Sequence, residues 1–157
     1  MSVSDPAGNI PIRGSRAGDA RAIEEIVRKS PEAAQWDTAN YGRTSSAGQA
    51  ILVAECGGVV CGFVVFRVAG GECEILNLAV DPAERRRGIA TALLQAALAQ
   101  ARENKAEEAF LEVRESNVAA ISFYRKLGFT KIGERARYYR GPTENAVLLK
   151  LKLTDQD

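Results

Sequence analysis

Ile75-Leu76-Asn77-Leu78-Ala79-Val80-Asp81-Pro82-Ala83-Glu84-Arg85-Arg86-Arg87-Gly88-Ile89-Ala90 passes from an apolar strand pattern, through three arginines and a glycine, into a helical pattern. Cations at a helix start oppose the macrodipole, whose positive end lies there and favours acidic residues. The arrangement becomes favourable when an anion sits on the loop. Exposed backbone N–H groups, a glycine that permits close approach and flanking guanidiniums together make a phosphate cradle. The competing reading is a solvated basic turn, and the loop in isolation does not separate the two.

Working outward, the spacing predicts a short strand at Ile10 to Arg13 and a helix from Asp19 to Lys29, with Ile23, Ile26 and Val27 on one face. Ser30-Pro31 breaks it, and a second helix is expected from Glu32 to about Arg43. Ala50 to Cys56 and Val59 to Val68 read as strands joined by Gly57-Gly58, a hairpin signal. Gly70-Gly71 turns the chain into a strand from Glu72 to Val80, ended by Asp81-Pro82. A helix from Thr91 to Lys105, a strand from Ala109 to Val113 and a helix from Asn117 to Leu127 capped by Gly128 follow. Strands at Thr130 to Tyr138 and Ala146 to Leu153 complete the pattern. The expectation is one α/β (α+β) domain over residues 10–154, with about seven strands and about four helices, preceded by a loose tail at 1–9.

The 157 residues carry a net charge of +1, which gives no general electrostatic case for nucleic acid or membrane. No apolar run approaches the roughly 20 residues needed to cross a bilayer, and no signal-peptide pattern opens the chain. Histidine is absent. That excludes Ser-His-Asp and Cys-His nucleophilic sites, histidine acid–base chemistry and most zinc sites. Cys56, Cys61 and Cys73 form no CxxC pair and stand in strand-like surroundings, so they read as buried reduced thiols in a cytoplasmic protein.

The loop matches neither the dinucleotide G-x-G-x-x-G pattern nor the G-x-x-x-x-G-K-[ST] P-loop. No acidic pair near it suggests a metal. Leu78-Ala79-Val80-Asp81-Pro82 followed by Arg85-Arg86-Arg87-Gly88-Ile89-Ala90 instead resembles the [QR]-x-x-G-x-[GA] acetyl-CoA motif of the GNAT N-acetyltransferases. Glu112-Val113-Arg114-Glu115-Ser116-Asn117, Ala119-Ala120-Ile121, Phe123-Tyr124 and Leu127-Gly128-Phe129 are similar to the bacterial RimI subgroup, and the likeness runs from about Ile12 to Leu153. It implies a mostly antiparallel GNAT sheet that splays beside Leu78, Ala79 and Val80. It also implies acetyl-CoA as donor, with its pyrophosphate on the amides of Arg86, Arg87, Gly88, Ile89, Ala90 and Thr91 and its thioester end near Asn117. No metal is implied. The subgroup acetylates the N-terminal alanine of a small-subunit ribosomal protein, so the implied partner is a protein N-terminus, with no direct nucleic-acid or membrane contact.

Glu112 is a carboxylate inside the apolar run Ala-Phe-Leu-Glu-Val. A buried charge needs a partner, a proton or a cleft. The residues alone allow a salt bridge to Arg114, which shares its strand face. The resemblance implies that Glu112 is the general base. An N-terminal amine has a pKa of about 7.7–8.0, so roughly a tenth is neutral at pH 7 and a glutamate suffices as base. Tyr124 reads on its own as a core tyrosine, whereas the resemblance implies an acid that protonates the departing thiolate.

Trp36 and Tyr41 on one side, and Arg137, Tyr138 and Tyr139 on the other, resemble the two walls of the family's peptide-binding side. Core packing for Trp36 and an exposed hairpin for the tyrosines are the alternatives. The family often has Glu-Asp-Ala in its last hairpin, where this chain has Glu144-Asn145-Ala146. The implied activity is N-terminal alanine acetylation. The alternatives are a GNAT enzyme for another amine and a non-catalytic acyl-CoA-binding module.

Overall fold

The computed structural model describes residues 10–30, 49–139 and 143–154. Seven strands form one sheet in the order β1-β2-β3-β4-β5-β7-β6. They are β1 (Ile12–Gly14), β2 (Gln49–Cys56), β3 (Val59–Ala69), β4 (Glu72–Val80), β5 (Glu108–Arg114), β6 (Thr130–Tyr139) and β7 (Glu144–Lys152). Every neighbouring pair is antiparallel except β4 and β5. Three α-helices are present among the described residues: α1 (Ala20–Arg28), α2 (Ile89–Glu103) and α3 (Val118–Lys126). The helix expected over Glu32 to Arg43 lies outside the described residues.

The alternation of apolar and polar side chains assigns each sheet face to a helix. Ile23, Ile26 and Val27 of α1 pack with Ile51, Val53, Phe63 and Val65 on one face. On the other, Leu93, Leu94, Ala97, Leu98 and Ala101 of α2 join Val64, Phe66, Cys73, Ile75, Ala109 and Leu111. Each large side chain buried there contributes about 1.5–3 kcal/mol. Among the described residues no helix is long and apolar enough to cross a membrane.

The two halves of the sheet meet over a short distance. β4 and β5 pair only at Glu72↔Glu108, Cys73↔Ala109 and Glu74↔Phe110. Beyond Glu74, β4 stays on β3 through Phe63↔Ala79 and Gly62↔Val80, whereas β5 follows β7 through Glu112↔Leu148 and Val113↔Val147. Leu76 is skipped in the β3–β4 register, a bulge where the strands part. The sheet is therefore mixed and mostly antiparallel, and it splays where the sequence resemblance implied.

The cysteine reading needs correction. Cys56 and Cys61 are joined in a disulfide, with Cα atoms 5.8 Å apart, and only Cys73 is a free buried thiol. The cause lies in the hairpin register. Ala54 pairs with Gly62 and Glu55 with Val60, so Cys61 is the extra residue of a bulge directly across from the end of β2. Sequence spacing does not show that juxtaposition. With the pair formed, the argument from reduced cysteines to a cytoplasmic location no longer holds.

Candidate active site

A cleft of about 440 Å³ fills the gap where β4 and β5 separate. Its lining includes Ile75 to Val80 of β4, Leu111 to Arg114 of β5, the start of α2, and Asn117, Ala119, Ala120, Phe123 and Tyr124 on and before α3. The β4 backbone has no strand partner on this side, and the cleft thus presents peptide groups able to hold an extended amide-containing arm. The Leu78 N–H is met by Asn77 Oδ1 at 3.0 Å. Asn77, a buried polar residue in an otherwise apolar strand, went unremarked in the sequence although its polarity was the available signal.

At the end of β4, Asp81 Oδ1 accepts the Ala83 N–H at 2.9 Å and caps the short turn Pro82–Glu84. The three arginines then diverge. Arg85 donates to Val80 O at 3.2 Å and to Ser30 Oγ at 3.1 Å, tying the loop to the strand end and to the end of α1. Arg87 pairs with Glu84 and is not part of the cleft lining. Arg86 lines the cleft, makes no side-chain hydrogen bond or ion pair among the described residues, and has φ +66°. A left-handed arginine costs about 1–2 kcal/mol. With Gly88 also left-handed at +78° as the N-cap of α2, the loop turns successive N–H groups together, as in an anion nest. Helix α2 begins at Ile89, two residues earlier than the pattern predicted, so Ile89, Ala90 and Thr91 bring their free amides to the loop.

Glu112 and Tyr124 both line this cleft, one from β5 and one from α3. The Glu112 partner is not Arg114. Its carboxylate, 16% exposed, meets Arg135 Nε at 2.7 Å. Arg114 instead pairs with Glu144 at 3.1 Å and lies 4.6 Å from the Tyr139 ring centre. Tyr124 is buried between the rings of Phe123 and Phe129, at 5.1 and 5.5 Å. Burial, and secondarily the nearby Tyr139 phenol, pushes Tyr124 above the usual tyrosine range. Asn117 caps α3 by accepting the Ala120 N–H through Oδ1 at 3.1 Å, which leaves its amide nitrogen as the end offered to the cleft.

The expected tyrosine wall divides between two tasks. Tyr139 lines the cleft, and burial with the charge of Glu112 pushes it up to about 12. Tyr138 is 46% exposed, and the nearby Glu112 carboxylate raises its pKa as well. Arg137 is exposed, with φ +55°. Trp36 and Tyr41 lie outside the described residues. Leu78, Ala79, Val80, Arg86, Gly88, Ile89, Ala90, Thr91 and Asn117 all line the cleft. The contribution of Arg135 was missed because it depends on a register across two strand boundaries.

The open strand edge, the nest at the α2 N-terminus and Arg86 in the cleft lining fit a ligand with an amide-bearing arm and a diphosphate. An acetyltransferase (GNAT) family model matches residues 20–129. The chain belongs to the GNAT acetyltransferases, enzymes whose acetyl donor is acetyl-CoA. It is 38% identical over 117 residues to an N-alpha-acetyltransferase of Sulfurisphaera tokodaii, covering 66% of this chain and 70% of that one. It is 35% identical over 101 residues to the ribosomal protein bS18-alanine N-acetyltransferase of Escherichia coli K12, covering 62% and 67%. The crystal structure of the ribosomal-protein-S18-alanine N-acetyltransferase from Escherichia coli matches with a TM-score of 0.82 at 26% identity, over 94% of this chain and 96% of that one. The family match ends before β6, so the Arg135, Tyr138 and Tyr139 wall is outside it.

Proposed function

We propose that this protein acetylates the α-amine of a protein N-terminus, with an N-terminal alanine, as on a small-subunit ribosomal protein, the first acceptor to test. The observation that carries this reading is that Glu112 and Tyr124, from β5 and α3, both line the cleft between β4 and β5. The names of the relatives support an α-amine acceptor.

Acetyl-CoA supplies an activated acyl group. Arg86 and the amides from Gly88 to Thr91 hold its diphosphate, and the open edge of β4 orients its arm. Glu112 removes a proton from the acceptor amine, directly or through a water. Tyr124, kept protonated by burial, gives its hydroxyl proton to the departing sulfur. Cys73 takes no part: burial pushes its thiol up to about 12, and it sits at the paired end of β4. The transfer is thus direct, from sulfur to amine, without an acyl-enzyme.

The test uses purified protein, acetyl-CoA and a short peptide with a free N-terminal alanine and an internal lysine. Mass spectrometry locates any acetyl group. Acetylation at the α-amine, absent from an N-terminally blocked peptide and much reduced by Glu112→Gln, is the expected result. Modification of the lysine alone would move the reading to a side-chain acceptor. Binding of acetyl-CoA with no transfer to any amine would leave an acyl-CoA-binding module.

A further inference from the structure

We propose that Glu144 is a positioning residue for the acceptor side of this site. Its carboxylate, fixed by Ser116, holds the Arg114 guanidinium against the Tyr139 ring at the cleft wall. The inference rests on the reading of Glu112 as base given above.

The strand register explains why these groups meet. Arg114 stands opposite Ala146 and Tyr139 opposite Glu144, with 144 and 146 two residues apart on β7. Period-two alternation then places Arg114, Tyr139 and Glu144 on the sheet face that carries Glu112. The Glu144 side chain is 12% exposed. Its Oε1 accepts the Ser116 N–H at 3.0 Å, and its Oε2 accepts the Ser116 hydroxyl at 3.0 Å and Arg114 Nη1 at 3.1 Å.

Ser116 is itself a fixed anchor. The Glu115 N–H donates to Asn145 O at 3.1 Å and the Asn117 N–H to Arg114 O at 2.9 Å, closing the turn on both sides of it. The guanidinium held by the anchored carboxylate lies 4.6 Å from the Tyr139 ring centre, and both Arg114 and Tyr139 line the cleft. Three donors converge on Glu144, and only an ionised carboxylate accepts from all of them. In Glu144→Gln the amide accepts through one oxygen and turns its own N–H donors toward either Arg114 or the Ser116 N–H.

The experiment is a double-mutant cycle on the full chain with Glu144→Gln and Arg114→Met. It is read by steady-state kinetics with acetyl-CoA and the N-terminal-alanine peptide, and by the NMR resonance of the Tyr139 ring, assigned with Tyr139→Phe. Glu144→Gln is expected to raise the acceptor KM about tenfold, the scale of one lost charge-assisted bond, with the acetyl-CoA KM within about twofold. Because Glu144 acts through Arg114, the double variant should match Arg114→Met alone within about twofold. An unchanged acceptor KM, equal losses toward both substrates, or losses that multiply in the double variant would overturn the proposal. Should Glu144→Gln fail to fold, Ser116→Ala removes one of the three donors and carries the same test. A rise of about threefold in its acceptor KM supports the role, and no rise overturns it. Should wild type fail to acetylate the peptide, the α-amine reading falls and the Tyr139 resonance decides the positioning role. A shift on Glu144→Gln in the direction produced by Arg114→Met supports it, and no shift overturns it.

Discussion

The Arg135 guanidinium on β6 reaches over β7 to the Glu112 carboxylate on β5, closing to 2.7 Å above the small side chain of Ala146. Ala146 pairs with Arg114 on one side and Arg135 on the other, so the two arginines flank one buried methyl. Arg135 is 58% exposed, and a pair screened to that extent contributes at most about 1 kcal/mol to stability. Its effect is on orientation. Arg135→Ala is expected to lower acceptor kcat/KM several-fold while the melting midpoint moves by less than about 3 °C. A large fall in the midpoint with unchanged kinetics would make the pair structural.

Tyr124→Phe keeps the ring between Phe123 and Phe129 and deletes only the hydroxyl. Turnover is expected to fall at least about tenfold, with acetyl-CoA affinity unchanged by calorimetry. Burial raises the Tyr124 pKa, so the phenol stays protonated and the wild-type rate shows no alkaline loss from this group up to about pH 10. The sign for stability follows. The folded state holds this proton more tightly than the unfolded chain, so stability is full below about pH 10 and declines above it. Tyr124→Phe should remove that component of the alkaline decline.

Arg13 clamps the first turn of the domain. It meets Asp19 at 2.8 Å and Glu55 at 2.6 Å, linking β1 to the start of α1 and to β2. Hydrogen bonds from Arg13, and then from the Arg16 N–H, outweigh burial and hold the Asp19 pKa below its usual value. A depressed carboxylate stabilises the fold above its unfolded pKa of about 3.9 and loses that contribution as pH falls through the folded value. Asp19→Asn should therefore cost about 1–2 kcal/mol at pH 7 in denaturant titrations, and the two proteins should converge as pH falls through the lowered folded-state value. A pH-independent difference would assign the loss to packing.

Gly62 lies where β3, β4 and α2 crowd together. A Cβ there would stand 3.1 Å from Leu93 Cδ1, 3.3 Å from Ile89 Cγ2 and 3.2 Å from the Ala79 carbonyl oxygen. The leucine can yield, but the carbonyl belongs to the strand that floors the cleft. Gly62→Ala is expected to cost about 1–3 kcal/mol and to weaken acetyl-CoA binding at the same time. Lower stability with an unaltered dissociation constant would show that β4 does not move.

Local pattern made much of this legible. The bounds of β4 agree with the alternation of its side chains and the Gly70-Gly71 and Asp81-Pro82 punctuation, and Gly57-Gly58 marked the hairpin. Glu112, Tyr124 and the arginine loop stood out by their motif spacing, and the structure brings Glu112, Tyr124, Arg85 and Arg86 to one cleft. What escaped depends on register between distant segments. The Cys56–Cys61 pairing needs a bulge at Cys61, the Arg135 contact needs β6 in place beyond β7, and the Arg114–Glu144 pair needs the hairpin closed. Charge and hydropathy at one position carry no record of such alignments. The exchange of Arg114 for Arg135 as the Glu112 partner shows the cost: i, i+2 proximity along a strand was overridden by a longer arm from across the sheet.

The brevity of the β4–β5 pairing makes the donor substrate a mechanical part of the molecule. Among the described residues, three paired positions and the adjoining Glu107 N–H to Gly71 O bond make up the backbone seam between the block β1–β4 and the block β5–β7–β6. On the proposed reading, the arm of a bound acetyl-CoA would span that seam like a mortared joint and bridge the two plates that the backbone leaves apart. The blocks should therefore breathe against each other when the enzyme is empty and stiffen together when it is charged. Amide exchange along Ile75 to Val80 and Leu111 to Arg114 should slow in concert on adding CoA.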